Sequence, residues 1–164
     1  MPEKNRDVLL VGIGNEFRTD DGAGCYVAGK IMSRGNGRLA VKILEREGTD
    51  LIECWRGYET VYVVDAAMSG SEPGTVHRFE IPGQEIPKSV FCTSTHAFGL
   101  ADVIPLARTL DALPPKLIVY GIEAGSFEHG RGLTEKVKAG ADKLAEELSG
   151  EINSLLNRAE GRHA

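Results

Sequence analysis

Residues 7–24 read DVLLVGIGNEFRTDDGAG, and the meaning of the glycines and acids at the centre of that stretch decides the fold. Residues 7–13 are a nearly continuous apolar run closed by Gly14, the pattern of a parallel strand covered on both faces. Thr19 is placed to cap a helix whose first turn holds Asp20 and Asp21, where carboxylates meet the positive end of the helix dipole. Ala23, Val27, Ala28 and Ile31 then repeat on one helical face. Strand, turn and helix in that order open an α/β sheet.

A glycine-rich turn after a buried strand also raises the question of a phosphate cradle. Gly12 and Gly14 match the first two glycines of GxGxxG, but Phe17 stands at the third. A pyrophosphate is drawn to a bare helix N-terminus, and two carboxylates there repel it. No GxxxxGK[ST] loop is present either. The stretch reads as a strand-end turn, with Glu16 at its centre.

Outward from this unit the alternation continues. A strand is expected at residues 40–44, a short helix opened by EGTD and running through Cys54 and Trp55, and a third strand at 60–64 ending in Asp65. Nine residues separate Asp65 from Thr75, too few for a crossover helix, so the strand at 75–81 should run antiparallel to the third. Leu100, Val103, Ile104 and Ala107 mark a further helix, and residues 117–122 a further strand. A closing helix carries a stripe of Leu133, Val137, Ala141, Leu144, Leu148, Ile152 and Leu155, expected to pack on the sheet. The expected class is a single-domain α/β three-layer sandwich spanning residues 1–164, with residues 149–164 as helix end and tail. Its sheet should be mostly parallel with one antiparallel strand.

The 164 residues suit one domain, which buries roughly 70% of the surface its unfolded chain exposes. A net charge of -5, with no run of Lys or Arg, disfavours a nucleic-acid partner. No stretch has the ~20 apolar residues of a membrane span, and the charged start lacks a signal-peptide pattern, so a cytoplasmic protein without membrane insertion is expected. Three cysteines without a CxxC pair indicate neither a disulfide framework nor a zinc knot.

Ligands of open α/β sheets collect at the carboxyl ends of the strands. Glu16 follows the first strand, Asp65 ends the third, and His96 lies in the loop before the helix at Leu100. Two carboxylates and an imidazole form a donor set suited to a divalent transition metal. Each has a plainer explanation: a solvated loop acid, a strand-end acid bonding a turn amide, and a histidine beside a helix start. Cys92 and His96 are also close enough in sequence to pair as nucleophile and base, but no third group orients them. Cys25 reads as packing, and His77, His129 and His163 have no evident partner. HExxH and GxSxG are both absent.

Four segments, GIGNEFRTDDGAG, VVDAAMSGSEPGTV, STHAFGLADVIPLA and GIEAGSFEHGRGLTEKV, resemble in order and spacing the hydrogenase maturation endopeptidases. The likeness runs over residues 7–148. It implies a twisted five-stranded sheet and a peptidase that removes the C-terminal peptide of the nickel-iron hydrogenase large-subunit precursor after nickel insertion. By motif match, the metal-contacting and catalytic positions fall on Glu16, Asp65 and His96. The implied cofactor is nickel supplied by the precursor, a site another divalent metal can take in vitro. Ala124 follows Glu123 where a Glu-Pro pair is usual, and Leu133-Thr134 replaces Leu-Ser. A noncatalytic nickel-binding chaperone or sensor on the same fold is the competing reading, since a metal site does not prove turnover.

Overall fold

The apolar run at the start of the chain becomes an inner strand of a five-stranded sheet: β1 (Arg6–Ile13) lies between β2 (Leu39–Leu44) and β3 (Tyr58–Ala67), parallel to both. The structure is a computed structural model and describes residues 6–35, 37–45, 48–91 and 99–163. The order across the sheet is β2-β1-β3-β5-β4, where β4 is Val76–Ile81 and β5 is Lys116–Glu123. β5 is parallel to β3 and β4 is antiparallel to β5, so four strands share one direction and the short link after β3 does reverse the chain.

β4 is nevertheless not the neighbour of β3, because β5 lies between them. Burial accounts for the exchange. In β5 every residue after Lys116 is buried, whereas β4 is partly exposed along most of its length and suits an edge. β3 also extends past the expected stop, so Asp65 lies inside the strand, two residues from its end.

Helices cover both faces. α1 (Ala23–Ser33) and α4 (Glu135–His163) pack on Val8, Leu10, Tyr62, Val64 and Ile118, while α2 (Thr49–Trp55) and α3 (Leu100–Thr109) pack on Leu9, Val11, Val61, Val63 and Leu117. The α4 stripe meets the sheet as expected: Val137, Ala141, Leu144, Leu148 and Ile152 are buried, Leu155 is half-buried, and the helix continues through His163. Asp142 ties α4 to α1 by accepting hydrogen bonds from Lys30 Nζ and Tyr26 Oη, each at 2.6 Å. Those two donors, Lys30 first, hold the Asp142 carboxyl down to about 2. Among the described residues no helix is long and apolar enough to cross a membrane.

Two glycines set the distance between α1 and the sheet. A Cβ on Gly24 would lie 2.2 Å from the Val64 carbonyl oxygen and 2.5 Å from that of Ile13; one on Gly12 would lie 2.5 Å from the Gly24 oxygen. The helix therefore begins directly against the carboxyl ends of β1 and β3. This is the close helix–strand packing that the third fingerprint glycine provides elsewhere, achieved here with no phosphate loop.

Candidate functional site

The turn after β1 is held open by its own acids. Gly14 has φ 143, and a Cβ there would meet the Asp21 carbonyl oxygen at 1.9 Å, so only glycine fits. Asp21 Oδ2 accepts the Asn15 N–H at 3.0 Å, and Asn15 Oδ1 accepts the Phe17 N–H at 2.9 Å. Glu16 lies between these two anchored residues, with its side chain exposed. It lines a cleft of about 700 Å³ bordered by Phe17, Tyr26, Ile43, Arg131 and Lys138.

The capping role expected of Thr19, Asp20 and Asp21 is not what they perform. Thr19–Gly22 is a 3-10 turn with no side-chain cap bond, α1 starts only at Ala23, and Thr19 itself has φ 50. Thr19 Oγ1 donates instead to the Glu128 carbonyl at 2.6 Å. Asp20 is completely buried: Oδ2 accepts the N–H groups of Gly125 at 2.8 Å and Ser126 at 2.9 Å and the Thr134 hydroxyl at 2.8 Å, and Oδ1 accepts the Thr134 N–H at 2.8 Å. The carboxylate satisfies three backbone N–H groups of a distant loop instead of those at the adjacent helix start.

Asp65 is 1% exposed, and its Oδ1 accepts the Ala66 N–H at 2.8 Å, which orients the carboxylate at the carboxyl end of the sheet. Its register partner is Gly121, where a Cβ would come within 2.9 Å of the Phe91 ring. Glu16 and Asp65 both act on Cys25, the third residue of α1. The thiol, which donates to the Gly14 carbonyl at 3.2 Å, is pushed up to about 12, by burial first and then by Asp65, Asp21 and Glu16. Cys25 thus faces the site rather than merely filling the helix packing. His96 and Cys92 lie outside the described residues. Among the described residues no three His, Cys, Asp or Glu side chains gather into a metal-holding group.

A raised thiol value disfavours the thiolate, the alkylating species, so at pH 8 only about 10⁻⁴ of the thiol is ionised. Iodoacetamide followed by peptide mass spectrometry should leave Cys25 essentially unmodified in the folded protein and modify it on unfolding, with the folded rate climbing only at strongly alkaline pH. Ready alkylation at pH 8 in the folded state would show that burial and the neighbouring carboxylates do not hold the thiol up.

Two further clusters were not foreseen. Glu123, 2% exposed at the end of β5, accepts the N–H groups of Ser69, Gly70 and Ser71 at 2.7, 2.8 and 3.0 Å, fixing the loop after β3. His77, read from sequence as lacking a partner, lies 3.4 Å from Glu123 Oε2 and 3.3 Å from Ser69 Oγ. Arg131 Nη2 reaches Glu16 Oε1 at 3.1 Å, a pairing across the fold that no local spacing announces.

Known proteins resemble this chain in sequence and in fold. The sequence profile of the hydrogenase maturation protease family matches residues 25–151, a span that includes Asp65 and His96 and begins beyond Glu16. A Methanocaldococcus jannaschii protein named as a hydrogenase maturation protease is 30% identical over 161 residues, 91% of this chain and 98% of its own. The hydrogenase 2 maturation protease of Escherichia coli is 29% identical over 146 residues, 86% of this chain and 87% of its own. The solved structure of the hydrogenase maturating endopeptidase HybD from Escherichia coli has a TM-score of 0.72 at 24% identity, covering 90% of this chain and 93% of that one.

Proposed function

Because this chain belongs to the hydrogenase maturation protease family, we propose that it is the endopeptidase that removes the C-terminal peptide of a nickel-iron hydrogenase large-subunit precursor once nickel is in place. Glu16, Asp65 and His96 read the metal. The observation that carries this reading is the placement of two carboxylates after parallel strands: Asp65 buried near the end of β3 with its Oδ1 held by the Ala66 N–H, and Glu16 exposed on the cleft after β1. Two carboxylates at neighbouring strand ends favour a cation, and carboxylate with imidazole oxygen and nitrogen donors suits a divalent transition ion.

The two acids differ in a way that fits a metal brought by a substrate. Asp65 is buried and held by a backbone N–H, so its position is fixed in advance; Glu16 is exposed on the cleft and can reach an ion that arrives with the precursor. The precursor tail lies along that cleft, whose exposed Phe17 and Ile43 offer apolar contact beside the site. A carboxylate of the pair accepts the proton of the attacking water as its oxygen adds to the scissile carbonyl. The proton then passes to the leaving amine as the C–N bond breaks. Nickel supplies a positive charge beside that carbonyl. We place the protein in the cytoplasm, in keeping with the free thiols of Cys25 and Cys54.

The test is to incubate the purified protein with nickel-loaded and nickel-free precursor and to weigh the large subunit. Loss of the C-terminal peptide only from the nickel-loaded form is expected. Tight nickel binding with no change in mass would replace the protease by a noncatalytic chaperone or sensor.

A further inference from the structure

The loop that Asp20 captures does more than cross the surface. Its main chain is stitched to the Glu16 turn: Gly130 N donates to the Phe17 carbonyl at 2.9 Å, Thr19 N donates to the Gly130 carbonyl at 2.8 Å, and Arg18 and Gly130 form a parallel bridge. The next residue is Arg131. Its guanidinium stacks on the Phe17 ring at 4.8 Å and donates to Glu16 Oε1 at 3.1 Å. Exposed ion pairs contribute little to stability, so folding strength does not explain why backbone and side-chain contacts deliver a cation to this carboxylate.

The geometry points to Arg131 as a resident counter-cation of the site. It occupies the Glu16 carboxylate until the precursor fills the cleft, and so turns away free divalent ions while admitting one presented by the precursor. The inference rests on the reading of Glu16 as a metal-contacting residue. Three features of the arrangement carry it. Glu16 is the exposed acid of the pair, the one a free ion would meet first. A fixed positive charge a few ångströms from that oxygen both competes for it and repels a dication. Arg131 also lines the same cleft as Phe17 and Ile43, so a peptide lying there offers its own carbonyl oxygens to the guanidinium and draws it off Glu16. Release of the acid is thereby tied to arrival of the substrate rather than to ambient metal.

Nickel chloride titrated calorimetrically into the full chain tests this without any precursor. Arg131→Gln should bind free Ni²⁺ about three- to tenfold more tightly than the unaltered protein, the scale of one removed charge at a solvated site. Arg131→Lys, which keeps the charge, should stay within about twofold. Glu16→Gln should weaken binding, and Glu16→Gln combined with Arg131→Gln should bind no tighter than Glu16→Gln alone, because the arginine acts through that carboxylate. If Glu16→Gln weakens binding while Arg131→Gln leaves it unchanged, the counter-cation role is overturned and the metal reading of Glu16 survives. If Glu16→Gln binds Ni²⁺ as the unaltered protein does, that reading falls and this inference falls with it. Arg131 is largely exposed, so neither substitution endangers the fold.

Discussion

Asp65→Asn folds normally and loses the processing reaction. The side chain is 1% exposed, and its Oδ1 accepts the Ala66 N–H, a bond that an amide of the same shape retains. What disappears is the acidic group. Processing of nickel-loaded precursor should fall on the order of 10²–10⁴-fold, the range for removal of a positioned acid or base, while the melting temperature moves by only a few degrees. A second readout is independent of catalysis. Asp65 is the leading charge that holds the Cys25 thiol up, so its removal lowers that value and Cys25 should alkylate faster than in the unaltered protein. Full processing by Asp65→Asn would remove Asp65 from the site. Unchanged Cys25 reactivity would instead show that its charge does not reach the thiol.

The fold was legible where a single periodicity dominates. A nearly unbroken apolar run can only be a doubly covered strand, and the α4 stripe has one face to bury, so β1 and α4 were readable directly. The reversal after β3 was also readable, because eight residues between Ala67 and Val76 cannot make a crossover. What pattern alone does not carry is competition between strands for a place: β5 displaces β4 from the side of β3 because it is the more apolar of the two, a comparison between segments forty residues apart. The site divides in the same way. Glu16 and Asp65 are candidates by the rule that strand ends collect ligands; Asp65 is buried near the end of β3, and Glu16 is exposed on the cleft after β1. His96 lies outside the described residues. The roles of Asp20 and Arg131 are not legible in the sequence because their partners are more than a hundred residues away, and a carboxylate beside a helix start looks like a cap whether or not it caps.

Asp20→Ala should be the most destabilising of the substitutions considered. The carboxylate is wholly buried and receives four hydrogen bonds, three of them from backbone N–H groups of Gly125, Ser126 and Thr134 that have no freedom to turn elsewhere while the loop keeps its path. Stranding such donors costs on the order of 1–3 kcal/mol each, and partial rescue by water at this half-exposed loop brings the expected total to about 2–4 kcal/mol. In a domain of this size that lowers the melting temperature by roughly 5–15 °C. The loss should be local before it is global. Amide exchange at Gly125, Ser126 and Thr134 should rise to open-loop rates while the β1 and β3 amides stay protected, because those strands are held by their own ladder. Thr134→Ser keeps both the N–H and the hydroxyl, so it should remain within about 0.5 kcal/mol of the unaltered chain. The loop also carries Arg131 to Glu16, so Asp20→Ala should tighten free Ni²⁺ binding in the same direction as Arg131→Gln. A melting temperature within about 2 °C of the parent would mean that the buried carboxylate does not hold the loop, and the route by which Arg131 is delivered would have to be sought in the main-chain stitch alone.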